Sequence, residues 1–211
     1  MSGEDTKRDL VAAAERLFAG HGIEAPSLRE ITRDAGQRNT SALQYHFGDR
    51  NELLRAVLAK HERDVDRHRH GLLDQHAPND GRDLGALAAA LVLPYVAKLD
   101  DPDGGCEYLQ VLGEVISSPA RFADVLPSAT AGSSMHRWSK AVGPLLPPEA
   151  VGRPLHRRFA AIRFLHGELA GRARERSRRD HRLFTSHLVD LVTAILAAPV
   201  SPSTKRLIRQ R

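Results

Sequence analysis

Between Ser27 and Phe47 the chain reads SLREITRDAGQRNTSALQYHF, a stretch that reads as two short helices separated by a tight turn. Ser27 can cap the free amides of a first turn while Glu30, three residues on, reaches back, which is the capping-box spacing. Leu28, Ile31 and Ala35 then fall on one helical face, and Gly36 supplies the left-handed residue at which such a helix stops. A second segment holds Asn39, Thr40, Ser41 and Gln44 before Leu43, Tyr45 and Phe47 turn the chain back to apolar partners. The pattern is that of a helix-turn-helix, whose second helix enters a DNA major groove.

The flanking segments read as helices too. Asp5 to Gly20 carries Leu10, Val11, Ala14, Leu17 and Phe18 as one apolar stripe, and Gly20 and Gly22 end it. Asp49 and Glu52 repeat the capping-box spacing at the head of a longer helix that continues to about Arg69. Turn formers gather from Gly71 to Gly81. A helix from Leu84 to Tyr95 follows, in which Pro94 implies a kink or break near Leu91. Glu107 to Ser117, a short element at Arg121 to Leu126, and Ser133 to Leu146 come next, punctuated by Pro119, Pro127 and Pro147-Pro148. The most strongly patterned helices are the last two, Leu155 to about Arg176 and His181 to Ala198. No strand-like alternation or internal repeat appears, so the expected class is all-α with about nine helices. The expected division is a DNA-binding domain at 1–48, a helical ligand-binding and dimerisation domain at 49–198, and a basic, flexible tail at 199–211.

The formal charge of +5 does not by itself support DNA binding. Residues 1–50 carry seven Lys/Arg against eight Asp/Glu, whereas residues 199–211 carry four against none. Phosphate contacts must therefore come from the placement of single arginines. The one cysteine, Cys106, excludes an internal disulfide and reads as a small core residue. The charged N-terminus and the lack of an 18-residue apolar run point to a cytoplasmic protein with no membrane partner. His61, Asp64 and His68 share a helical face, but His68 and His70 project from different faces and the arginines around them read as solvated surface, so no metal is expected. No nucleophile elbow, phosphate loop or H-E-x-x-H occurs, so neither catalysis nor a cofactor is expected.

The first 60 or so residues resemble the tetracycline-repressor (TetR/AcrR) family of transcription regulators. The resemblance rests on A-A-x-x-L-F-A-x-x-G at Ala13 to Gly22, S-L-R-E-I-T-R-D-A-G at Ser27 to Gly36, Tyr45-His46-Phe47, and the G-D-R-x-E-L-L opening of the fourth helix at Gly48 to Leu54. Beyond about Arg69 only length and helix order match. Two features depart from the commonest form: one extra residue between Gly36 and Leu43, and Gln44 where many members have a phosphate-contacting tyrosine. Both leave the register of base contacts open.

As candidate DNA contacts, Asn39, Thr40 and Ser41 face base edges or nearby phosphates, and Gln44 reads adenine or donates to phosphate. Arg29, Arg38 and Arg50 are candidates for phosphates, Arg50 because the first turn of a helix already attracts anions; Ser27, Tyr45 and His46 complete the set. The resemblance also implies a ligand cavity in the body, with Tyr95, Tyr108, Leu112, Trp138, Phe164 and His166 as candidate walls and Glu107 and Glu114 as polar groups to test. Ordinary core packing is the alternative for each. The function expected is a ligand-responsive repressor that binds a palindromic double-stranded DNA operator as a homodimer, with an unidentified small-molecule effector. The dimer would form through Leu155–Arg176 and His181–Ala198. Activator action stays open. The alternatives are a helical small-molecule-binding enzyme with a vestigial head and a regulator without an effector.

Overall fold

A computed structural model describes residues 3–37, 41–76, 83–126, 131–175 and 180–210, and among them every regular element is helical. In chain order these are α1 (Gly3–His21), α2 (Leu28–Asp34), α3 (Ser41–Phe47), α4 (Arg50–His76), α5 (Leu84–Val96), α6 (Gly105–Ser117), α7 (Pro119–Val125), α8 (Ser134–Val142), α9 (Pro148–Val151), α10 (Arg157–Arg174), α11 (Arg182–Ala197) and α12 (Pro202–Arg209). Short 3-10 turns occupy Ala97–Asp100 and Gly143–Leu145.

The chain divides into two compact units. The first takes in α1 to α3, α4 as far as Asp64, the Ala97–Asp100 turn, α6, α7 and α10 from Leu169. Most of the stripe of α1 is sequestered, with Leu10 and Ala14 at 0% exposure and Phe18 at 1%, while Leu17 is half-buried. It packs on α6, which is buried without interruption from Tyr108 to Gly113. Ile31, Leu43 and Phe47 bring the apolar sides of α2 and α3 into the same core.

The second unit comprises α4 from Val65, α5, α8, α9, α10 as far as Glu168, α11 and α12. Leu188, Val192 and Leu196 recur every fourth residue on α11 and are buried against α5, whose Leu87, Leu91 and Val92 are equally sequestered. Each such side chain contributes about 2 kcal/mol of transfer free energy. Trp138 of α8 is buried beside them, its indole N–H donating to Leu87 O at 2.8 Å.

The structure differs from the sequence reading in four places. The helix α5 is unbroken at Leu91 and carries Pro94 to within two residues of its end at Val96, where few later helical bonds remain to be disturbed. The helix α4 passes through Gly71 to His76, because Leu73, 6% exposed, repays in burial what the glycine costs in propensity. The short α9 starts at Pro148, a residue suited to the first position of a helix. Residues 202–209, expected as flexible tail, form α12: Ser201 caps it, Pro202 opens it and Lys205 pairs with Glu149 at 2.9 Å.

Candidate nucleic-acid interface

Local chemistry builds the reading element. The Ser27 Oγ accepts the Glu30 N–H at 3.2 Å, while the Glu30 carboxylate accepts the Ser27 N–H at 2.7 Å and its hydroxyl at 2.8 Å. These bonds hold the Glu30 carboxyl below its ordinary range. After α2 the chain reverses at Gly36, whose φ of +70° is a conformation that side chains with a Cβ rarely adopt. The helix α3 buries Leu43 and Phe47 and leaves Gln44 and Tyr45 exposed, Tyr45 at 86%. His46 is half-buried and meets the Tyr45 ring edge-on at 5.1 Å.

Apart from the half-buried His46, the candidate contacts fall into three groups. Arg29, Gln44 and Tyr45 are exposed on α2 and α3. Ser27 and Arg50 have structural tasks: Ser27 caps α2, and Arg50 donates to Ile23 O at 2.6 Å with its guanidinium 5.9 Å from the Phe18 ring. Arg38, Asn39 and Thr40 lie outside the described residues, and of Ser41 only the backbone, in the first turn of α3, is described.

Contacts that the sequence does not reveal hold this element in place. The loop after α1 is gripped at Ile23, whose N–H donates to both Glu114 oxygens at 3.3 Å and whose carbonyl accepts from Arg50. Arg121 of α7 pairs with Glu24 at 2.9 Å, and Arg55 donates to Asp124 O at 2.9 Å. Glu114 therefore faces this loop rather than a ligand space. Deeper in the same unit, Glu15 accepts from Lys60 at 2.8 Å and meets His61 Nε2 at 2.7 Å, and His61 stacks on Tyr108 at 4.6 Å. Burial opposes the charge on Lys60, yet its bonds to Glu15 and Asp103 raise its affinity for a proton.

The six candidate ligand walls do not all come together. Tyr108 and Leu112 sit in the first unit, Tyr108 against His61. Tyr95, Trp138, Phe164 and His166 belong to the second, where Tyr95 and His166 meet edge-on at 4.4 Å and Phe164 is half-buried. Glu107 lines a surface cleft of the first unit with Arg16, Ala19, Gly20, Gln110 and Arg174. Among the described residues no cluster of three or more His, Cys, Asp or Glu is arranged for a metal, and no single helix is long and apolar enough to cross a membrane.

The helical fold and the capped helix-turn-helix define a class, the proteins that read DNA with such an element. The model described as "Bacterial regulatory proteins, tetR family" matches residues 10–57, the stretch that carries this element. Over 56 residues it is 41% identical to the HTH-type transcriptional dual regulator CecR of Shigella flexneri, a match covering 26% of this chain. The chain thus matches about a quarter of that relative's length, 24%. Solved structures share the fold more widely. An alanine-substituted mutant of HlyIIR superimposes with a TM-score of 0.57 at 16% identity, covering 94% of this chain and 99% of the other. The multidrug binding protein EbrR, complexed with malachite green, does so with a TM-score of 0.50 at 19% identity over 92% and 98%.

Proposed function

We propose that this protein is a cytoplasmic transcription regulator that binds a palindromic double-stranded operator as a homodimer and releases it when a small molecule binds, a ligand-responsive repressor. The observation that carries the reading is the capped α2–Gly36–α3 element with Gln44 and Tyr45 standing free of the core. Such a helix presents short polar side chains to base edges while exposed arginines such as Arg29 reach phosphates. The proposed division follows: residues 1–48 read DNA, 49–198 hold the effector and the dimer contact, and 199–211 form an appendage.

Support for a dimer comes from α11 and α10. Leu183 is 83% exposed, Leu191 and Ile195 are only half-buried, and a side chain added at Gly167 would meet open space. Two copies of this face would form a closed, self-complementary contact. The EbrR complex supports an effector, since that protein of the same fold is described as binding a small molecule. Effector and DNA binding would then be coupled with opposite sign.

Selection from a random duplex pool tests the reading. The wild-type protein should enrich a two-fold symmetric site, and Gln44→Ala should lose about tenfold in discrimination, the scale of one bidentate base contact. Failure to enrich any sequence would remove the assignment. Placing charges at Leu191 and Ile195 should give monomers by light scattering; persistence of the dimer would locate the interface elsewhere.

A further inference from the structure

Arg69 lies on α4 with no exposed surface. Its Nη1 donates to Ser134 Oγ at 3.0 Å, and its guanidinium carbon stands 5.1 Å from the centre of the Tyr95 ring. Neither Nε nor Nη2 meets an acceptor. Among the described residues no carboxylate stands within ion-pair distance of it, although the Asp66 carboxylate feels its charge. The acid one turn away, Asp66, accepts the Ser134 N–H at 2.8 Å and faces His70 at 3.4 Å. The other edge of the arrangement is His166, 1% exposed, its ring edge-on to the same Tyr95 and its Nδ1 likewise without a partner. Burial, with the charge of Arg69 behind it, pushes the His166 imidazole down to about 3, so this neighbour adds no second cation at neutral pH.

A cation shut away from water with idle donors is among the least favourable arrangements a core can contain. Satisfied or apolar alternatives were open to this position, so the unfilled donors call for a partner from outside the chain. The two idle atoms also specify that partner's shape. Nε and Nη2 form the side edge of the guanidinium, with parallel N–H bonds that match the two oxygens of one carboxylate.

We infer that Arg69, with Ser134, Tyr95 and His166 around it, is the binding site for an organic carboxylate, seated bidentately on Nε and Nη2 while His166 Nδ1 meets a second polar group of the same molecule. This rests on the effector response proposed above and names the effector's chemical class. Arg69 shares α4 with Arg50, so an anion drawn to it acts on the helix whose first turn grips Ile23.

Calorimetric titration and thermal melts of the full-length protein test the site, with sodium acetate, propionate and benzoate as probes and neutral benzamide and inorganic phosphate as controls. At least one carboxylate should bind saturably and raise the melting temperature, with benzamide tenfold weaker or more. Arg69→Met should abolish that binding, and Arg69→Lys should weaken it at least tenfold because one ammonium cannot supply the fork; should the Met variant fail to fold, the Lys variant carries the test. The site is overturned if no carboxylate binds, if phosphate binds as tightly as the best carboxylate, or if the variants bind as the wild type does. The same probe, added to protein on its selected duplex, should lower DNA affinity at least fivefold. Arg69-dependent binding that leaves DNA affinity unchanged upholds the carboxylate site and refutes the effector role.

Discussion

Each compact unit buries charge, and the two do it differently. Around Glu15 in the first unit every charged group has its complement: Lys60 and His61 on Glu15, Lys60 also on Asp103 at 2.9 Å, and Lys98 between Asp101 at 2.9 Å and Asp64 at 3.4 Å. Around Arg69 in the second unit a fully buried cation has one hydroxyl and two idle donors. The first arrangement is complete and fixes α1, α4 and the turn before α6 in one geometry. The second waits for a counter-charge. Buried charge is thus structural where it is paired and points to a ligand where it is not.

Breaking the paired cluster should have the largest effect. Glu15→Gln leaves Lys60 and His61 around a neutral amide and should cost about 3–5 kcal/mol in urea unfolding, the usual penalty for removing one partner of a buried pair. The next effect belongs to the unpaired cluster and depends on pH. His166 has its folded value depressed to about 3 from 6.5, so the folded state takes up its proton less readily than the unfolded chain. Its contribution is complete above pH 6.5 and is lost as pH falls below it, at about 1.4 kcal/mol per pH unit, or about 2 kcal/mol by pH 5. Melts of wild type and His166→Leu across that range should differ in slope by this amount; equal slopes would place the imidazole in contact with water.

Smaller changes sharpen the contrast further. Gly104 has φ +82° and lies where any Cβ would strike the Glu15 carboxylate. Gly104→Ala should therefore cost about 1–2 kcal/mol from backbone alone and weaken the Glu15 pair in addition. A Gly104→Ala protein as stable as wild type would mean the cluster tolerates displacement. Least of all for stability is Gln44→Ala, an exposed change expected within about 0.5 kcal/mol by urea titration. Its consequence should appear only in DNA selection.

Much of the reading element was legible because its causes are local. Ser27, Glu30 and Gly36 act within a few residues of one another, and the structure has the capping box and the left-handed turn where their spacing puts them. The clasp on the Ile23 loop was illegible for the opposite reason: Glu114 lies 91 residues from Ile23, and Arg121 lies 97 from Glu24. Arg50 looked like a phosphate ligand from its place in a first helical turn, yet its Nη1 is committed to Ile23 O. Arg69 was hidden by its neighbours. In the run RDVDRHRHG it reads as one more solvated charge, although Val65, Arg69 and Leu73 recur every fourth residue and all three are buried. That stripe was the available signal. His61, by contrast, falls on the apolar face of Leu53, Leu54, Val57, Leu58 and Val65, and it is buried there on Glu15.

The most direct measurement is the pair of melting temperatures of Arg69→Met and Glu15→Gln beside the wild-type protein without added ligand. If the charge on Arg69 is unbalanced until a carboxylate arrives, methionine of similar length should raise the melting temperature, while glutamine at position 15 lowers it. A fall for both variants would contradict the account, because Arg69 would then be a satisfied structural residue like Glu15.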